Sequence, residues 1–181
     1  FITSTLQQEA SRKLNFTSRR TMQAAQQLYE GVEVKGKGTV GLITYMRTDS
    51  LRIADVARDA AFDFIKSTYG NEYAPEKPRV YKTKKSAQDA HEAIRPTDVF
   101  LTPEMVKDSL KPEQYRLYKL IWSRFVASQM TSAIYETVNA DINAGKYLFK
   151  ATGSKIKFPG FTAIYEESSD DDKKEASAIP S

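Results

Sequence analysis

The chain has 181 residues, of which 28% are charged and 40% hydrophobic, a balance typical of a globular protein with room for a real core. The absence of cysteine excludes disulfides and thiolate metal sites and fits a reducing cytosol. No apolar run approaches the roughly 20 residues of a membrane span, and no signal peptide opens the chain. A first residue of Phe1 instead of Met indicates a piece of a longer protein.

The net charge of +4 is unevenly distributed along the chain. Residues 1–134 carry 21 Lys and Arg against 15 Asp and Glu, whereas residues 135–181 carry 6 against 8. A positive segment is compatible with a polyanionic partner such as nucleic acid, although many other enzymes are equally basic.

The first 40 residues predict two helices and a hairpin. Leu6, Ala10 and Leu14 recur at helical spacing after a capping residue among Thr3–Thr5, and Ser18 can cap a second helix that ends near Glu30. The buried stripe of this second helix is predicted to be Met22, Ala25, Leu28 and Tyr29. Valines on either side of Gly36 and Gly38 predict a hairpin, and together these elements suggest a winged helix. Such units bind DNA or serve as protein–protein modules.

The stretch Gly41–Ser50 carries the strongest chemical signal. It is predicted to continue the second hairpin strand as far as Tyr45, so that Tyr45 and Arg47 project to the same side. An arginine can hold two phosphate oxygens while a nearby hydroxyl supplies a nucleophile. The alternative is a half-buried structural tyrosine beside a surface arginine.

A third helix is predicted from about Ser50 to Thr68. Its predicted core face consists of Ile53, Val56, Ala57, Ala60 and Phe64. The basic and aromatic stretch Asn71–Lys85 suits single-stranded nucleic acid or is a solvated loop. A short helix is then predicted from Ala87 to Ile94, which would put His91 and Arg95 on one helical face.

The last third changes from helix to strand. A short helix is predicted at Thr102 and a long one from Lys111 to about Thr131. Antiparallel strands are predicted at 134–142, 147–152 and 156–165, followed by a disordered tail at 168–181. The fold class is therefore mainly α with β: a winged-helix-like unit over 1–131, a β segment over 132–167, and the tail.

Three motifs resemble those of type IA DNA topoisomerases. The string from Gly41 to Ser50 resembles the active-site segment of this family, and the stretch Ala90–Thr97 resembles a second motif around His91, 46 residues after the tyrosine. The third lies in Phe1–Gln8, with Ala25–Glu30 after it. The resemblance covers most of residues 1–165.

The resemblance implies a mechanism and a set of site residues. Tyr45 would attack a phosphate of single-stranded DNA and become linked to the 5′ side of the break, with Arg47 holding that phosphate. His91 would help to set up catalysis. The residues implied to contact DNA are Arg47, Thr48, Asp49, His91, Arg95, Gln26 and Glu30, and Thr44 could position the reacting pair.

The resemblance also implies partners outside this chain. In the family, Mg²⁺ and the proton donor come from an N-terminal Toprim domain with a glutamate and an Asp-x-Asp cluster, which this sequence lacks. The strands after residue 131 would belong to the arch domain. The fragment alone is therefore expected to bind DNA weakly and to relax nothing, and the protein is expected in the cytoplasm with the nucleoid.

Two other functions compete with a topoisomerase. One is a non-catalytic winged-helix DNA-binding or interaction module, in which Tyr45 is merely structural. A tyrosine recombinase is more remote, because its Arg-His-x-x-Arg pattern upstream of the tyrosine is missing here.

Overall fold

The computed structural model describes residues 1–81 and 91–166. In this part of the chain there are five α-helices, α1 (Thr3–Leu14), α2 (Ser18–Glu30), α3 (Asp55–Tyr69), α4 (Pro103–Val106) and α5 (Pro112–Gln129). There are also two antiparallel two-stranded sheets, β1 (Val32–Val34) with β2 (Gly38–Val40), and β3 (Ile134–Ala144) with β4 (Tyr147–Phe158). The predicted mixture of helices and antiparallel strands is confirmed. No helix in the described ranges is long and apolar enough to cross a membrane.

Helix α5 forms the centre of the core, and α1, α2, α3 and α4 all pack against it. Most of its apolar residues are buried, including Leu117, Ile121 and Trp122. Two side chains of α5 also fix the preceding loop, because the Tyr118 hydroxyl donates to the carbonyl of Leu101 at 2.6 Å and the Trp122 indole donates to that of Val99 at 2.9 Å. The predicted long helix therefore holds the other helices and the preceding loop together.

Helices α1 and α2 follow the predicted pattern closely. The first ends at Asn15, whose left-handed backbone (φ 55°) closes the helix. Thr17, one residue before the predicted cap, accepts the N–H of Arg20 and starts the second. Leu28 is buried as predicted, whereas Tyr29 is 41% exposed and extends over the surface of the domain.

The second strand of the first hairpin is shorter than predicted and does not reach Tyr45. Strand β2 ends at Val40, and the chain then passes the end of α2, where the N–H of Leu42 donates to the carbonyl of Leu28 at 2.7 Å. Gly41 permits this close approach, since an added Cβ would lie 2.7 Å from the carbonyl oxygen of Tyr29. The next four residues pair with another segment of the chain.

The predicted start of α3 and the predicted helix over 87–94 are both wrong where the structure describes them. Helix α3 begins only at Asp55, because residues 50–53 lie extended and the carbonyl of Arg52 accepts the N–H of Ala93. Of the predicted core face, Phe64 is buried and Ala57 and Ala60 pack against the core, whereas Val56 is 81% exposed; Ala61 and Ile65 are buried as well. Residues 91–94 are not helical, and residues 82–90 lie outside the described ranges.

The three predicted C-terminal strands are in fact two. Val138 pairs with Gly153 and Thr137 with Ser154, so the predicted turn at 153–154 is the middle of β4. Residues 160–163 form a short 3₁₀ helix instead of a strand. Gly160 (φ 51°) packs too closely on Thr131 and Ser132 to carry a side chain. The predicted tail at 168–181 lies outside the described residues.

We expect Gly41→Ala to destabilise the fold by about 1–3 kcal/mol, because the new methyl group meets a backbone carbonyl that cannot move aside. Urea unfolding followed by circular dichroism measures this. Gly36→Asn is the matched control: it lies in the hairpin turn with no atom within 4 Å of an added Cβ, and asparagine tolerates its φ of 79°. Equal stability of Gly41→Ala and the wild type would contradict the packing described here.

Candidate active site

The extended segment 41–44 pairs with the segment 93–97. Ile43 and Pro96 form an antiparallel bridge. On either side of it, the N–H of Thr97 donates to the carbonyl of Leu42 at 3.0 Å, and the N–H of Thr44 donates to that of Arg95 at 2.9 Å. The first two motifs of the sequence are therefore direct neighbours in space.

The Thr44 side chain strengthens this pairing. Its hydroxyl donates to the carbonyl of Ala93 at 2.7 Å and accepts the N–H of Arg95 at 3.0 Å. One hydroxyl therefore satisfies two backbone groups of the opposite segment, which would otherwise lose their partners away from water.

The opening residues of the chain join the same arrangement. The Thr3 hydroxyl donates to the carbonyl of Met46 at 2.8 Å and accepts the N–H of Thr48 at 2.9 Å. The N–H of Ile94 donates to the carbonyl of Phe1 at 2.9 Å. All three sequence motifs thus meet through backbone hydrogen bonds.

Side chains alternate between core and surface along residues 45–50. Met46, Thr48 and Ser50 are buried, whereas Arg47 and Asp49 are exposed and Tyr45 is half-buried. This alternation is that of an extended chain, although the segment belongs to no sheet. The predicted common direction of Tyr45 and Arg47 fits this pattern.

Tyr45 lies between two other rings. The Tyr29 ring meets it edge-on with a centroid separation of 5.4 Å, and the His91 imidazole lies tilted by 33° at the same separation. The Tyr45 hydroxyl makes no hydrogen bond with any described residue. Two tyrosines elsewhere in the described residues are more buried: burial and a nearby Asp98 raise the pKa of Tyr118, and burial followed by a hydrogen bond to Glu9 raises the pKa of Tyr165.

An open cavity of about 560 Å³ is lined by His91, the residue whose ring packs on Tyr45. Its lining residues come from all three motifs and are Ile2, Thr3, Ser4, Arg47, Thr48, Asp49 and His91. The Arg47 side chain is exposed and has no hydrogen-bond or ion-pair partner among the described residues. Helix α1 also begins here, so the partial positive charge of its N-terminus points into the same space. A phosphate group suits this combination.

Thr48 lines this cavity but presents little accessible surface to it. Its side chain is 7% exposed, and its hydroxyl accepts the N–H of Ser50 at 3.0 Å. Asp49 is exposed at the rim.

Three predicted DNA contacts lie apart from the cavity. The Arg95 guanidinium pairs with Glu92 at 2.7 Å and donates to the carbonyl of Pro96 at 2.9 Å, and it lines a different cavity beside α3. Gln26 and Glu30 bond to each other across one turn of α2, as their spacing predicted, but neither bonds to Tyr45. Their predicted contacts with DNA stay predictions.

Sequence reasoning missed the role of two residues. The carboxylate of Glu92 accepts the N–H of Ala54 at the start of α3 while it pairs with Arg95, and so it holds the segment that carries His91. Its position next to the only histidine was the available signal. Tyr29 was assigned to the core, yet it packs on Tyr45 from the outside.

Comparisons with known proteins show the family of this chain. The family model described as DNA topoisomerase matches residues 1–181. The chain belongs to the bacterial type IA DNA topoisomerase family. The structure of full-length topoisomerase I from Thermotoga maritima is similar with a TM-score of 0.80 and 45% sequence identity. The match covers 93% of this chain but only 27% of that one, so the chain spans about a quarter of the relative's length. The family membership predicted from the three motifs is confirmed.

We expect Thr44→Val to lower the free energy of unfolding by roughly 1–3 kcal/mol, because the carbonyl of Ala93 and the N–H of Arg95 both lose a partner. Thr152→Val is the control, since that hydroxyl bonds only to Asn139 on the exposed surface of the second hairpin. Thermal or urea unfolding distinguishes the two. A loss no larger than that of the control would show that the hydroxyl is not needed for the pairing.

Proposed function

We propose that this chain carries the nucleophile half of the active site of a type IA topoisomerase, which relaxes negatively supercoiled DNA without ATP. The single observation that carries the proposal is the packing of Tyr45 on His91, because His91 lines a cavity together with Arg47 and the first residues of α1. Family membership supports DNA as the substrate.

The proposed reaction is a reversible transesterification. The Tyr45 hydroxyl oxygen attacks a phosphorus atom of one DNA strand, and the bond from that phosphorus to the 3′ oxygen breaks. The phenolic proton is lost, the 3′ oxygen takes up a proton, and the 5′ phosphate remains on the tyrosine. Because one phosphoester bond replaces another, the reverse attack by the 3′ hydroxyl reseals the strand after a second strand has passed, and no nucleotide is consumed.

Each surrounding residue is assigned a part in this step. Arg47 is placed to bind the non-bridging oxygens of the scissile phosphate, where charge builds up in the transition state. His91 packs on the Tyr45 ring and lines the cavity, so it orients the nucleophile and can contact the DNA backbone. Thr48 and Asp49 shape the cavity between them.

The residues described here do not fit a magnesium site. They contain no group of three or more His, Asp or Glu side chains that could hold a metal ion. We therefore propose that Mg²⁺ and the proton donor come from a Toprim domain elsewhere in the parent protein. The isolated chain would then be inactive in relaxation, and the parent would act in the cytoplasm.

We further infer that α1, α2 and the first hairpin act as a winged-helix unit, with β3 and β4 as part of the arch. The exposed cations of the unit include Arg19, Lys35 and Lys37. The runner-up function, a non-catalytic DNA-binding or interaction module, uses the same surface and makes no use of the Tyr45 hydroxyl.

We expect Tyr45→Phe in the full-length parent protein to abolish the covalent protein–DNA adduct while leaving the fold unchanged, because only a half-buried hydroxyl without described partners is removed. Labelled single-stranded DNA, a denaturing quench and gel electrophoresis detect the adduct. Tyr115→Phe is the matched control, since its hydroxyl bonds to Glu104 on the outer surface of α5. An undiminished adduct in Tyr45→Phe would favour the non-catalytic module.

We expect Arg47→Gln to reduce the rate of cleavage by about 10²–10³, the usual cost of removing one group that stabilises a developing charge. Arg47→Lys should be intermediate, because lysine keeps the charge but loses the two-pronged contact. Single-turnover cleavage of an oligonucleotide in the parent protein measures both variants. Equal rates in all three proteins would remove Arg47 from the site.

A further inference from the structure

A second cavity of about 350 Å³ lies along the chain that leaves the active site. Three of its lining side chains are cationic, namely Arg52, Arg58 and Arg79, and Asp55 is the one carboxylate among its lining residues. Asp55 is already paired with Arg58 at 2.7 Å. The cavity therefore has a net positive charge, and it opens to solvent beside the exposed side chains of Val56 and Val80. We call this cavity the arginine cleft.

The cleft also contains a flat apolar surface. Tyr81 is 40% exposed, and its hydroxyl donates to the carbonyl of Ser128 at 2.6 Å, which fixes the ring against the end of α5. Arg79 is fixed in the same way, because its guanidinium donates to the Ser132 hydroxyl at 2.6 Å. This bond uses one of five N–H groups, so the others are available to a ligand. A positioned ring beside positioned cations suits a strand of nucleotides.

The cleft lies within a short distance of the proposed scissile phosphate. Only four peptide units separate Arg47 from Leu51, the first residue of the cleft lining, so at most about 14 Å of chain separates them. Leu51, Ile53, Arg79 and Tyr81 also line a further cavity of about 360 Å³ that includes Thr5 and Ala93, neighbours of the active-site segments. The two cavities are therefore adjacent, and the second is lined by residues next to the active-site segments.

We propose that the arginine cleft binds a distal part of the single-stranded DNA that is cleaved at Tyr45. Arg52 and Arg79 contact its phosphates and the Tyr81 ring stacks on a base. The assignment rests on the proposed function. An acidic segment of a protein would also be attracted by the arginines, but it would make no use of the positioned ring, so the aromatic component favours nucleic acid.

The test compares two charge-neutralised forms of the full-length parent protein, both in the Tyr45→Phe background so that no cleavage occurs. The first carries Arg52→Gln with Arg79→Gln. The control carries Lys119→Gln with Lys150→Gln, two exposed lysines on α5 and on the second hairpin. Binding of a fluorescent oligothymidylate is measured by anisotropy at several salt concentrations. Circular dichroism and thermal unfolding confirm that both forms fold.

For single strands, each phosphate contact contributes about 0.7 to the slope of log K against log salt concentration. We expect the arginine variant to lose about 1.4 from this slope, and the lysine control to keep it. Tyr81→Leu should weaken binding about fivefold or more through lost stacking, whereas Tyr81→Phe, which keeps the ring and loses only the bond that fixes it to Ser128, should weaken binding less than Tyr81→Leu does. An unchanged slope in the arginine variant, or equal affinity of Tyr81→Leu and Tyr81→Phe, would overturn the proposal.

Competition distinguishes the other ligand class. The competitors are a polyglutamate peptide and unlabelled oligothymidylate. If both displace the labelled oligonucleotide from the wild-type cleft with equal potency, and the peptide does not displace it from the arginine variant, the cleft is a general acidic-peptide site and the proposal is overturned. This test does not depend on chemistry at Tyr45. A slope change together with an undiminished adduct in the Tyr45→Phe protein would support the cleft and refute the proposed function.

Discussion

The structure depends on one pairing, that of residues 41–44 with residues 93–97. The Thr44 hydroxyl stabilises this pairing, because it bonds to two backbone groups of the opposite segment. On one side this pairing places Tyr45 at a surface, and on the other it brings His91 against the tyrosine ring. Thr3 adds the third segment, with the start of α1. Side chains that are distant in sequence thereby form one cavity without belonging to any sheet.

Local patterns predicted the elements whose stability is local. The periodicity of α1, α2 and α5 and the glycines of the first hairpin indicated the right structures within a few residues. The failures are places where a distant segment takes the hydrogen bonds. The N–H groups of residues 93–97 bond to Arg52, Phe1, Thr44 and Leu42, so no helix forms there despite a suitable sequence. The late start of α3 has the same cause, and no local pattern shows it.

The site itself was predictable only in part. The motifs predicted Tyr45, Arg47 and His91 as site residues, but the spacing of these residues in sequence showed nothing of the ring contact between Tyr45 and His91. Arg95 looked equivalent to Arg47 because both are charged motif residues. However, Glu92 lies three residues before Arg95 and forms an ion pair with it at 2.7 Å. Arg47 is exposed and Arg95 is paired with Glu92, so burial and pairing distinguish the two arginines. The sequence alone shows neither property.

The second hairpin leaves the body and returns to it at almost the same place. Its first strand begins just after Thr131, which accepts the N–H of Phe161 on the return, and Tyr165 is then bonded to the buried Glu9 of α1 at 2.6 Å. A projection held at both ends cannot pivot about a single bond. A force applied to the tip of the hairpin would instead be transmitted to α1. The first residues of α1 line the cavity that also contains Arg47 and His91.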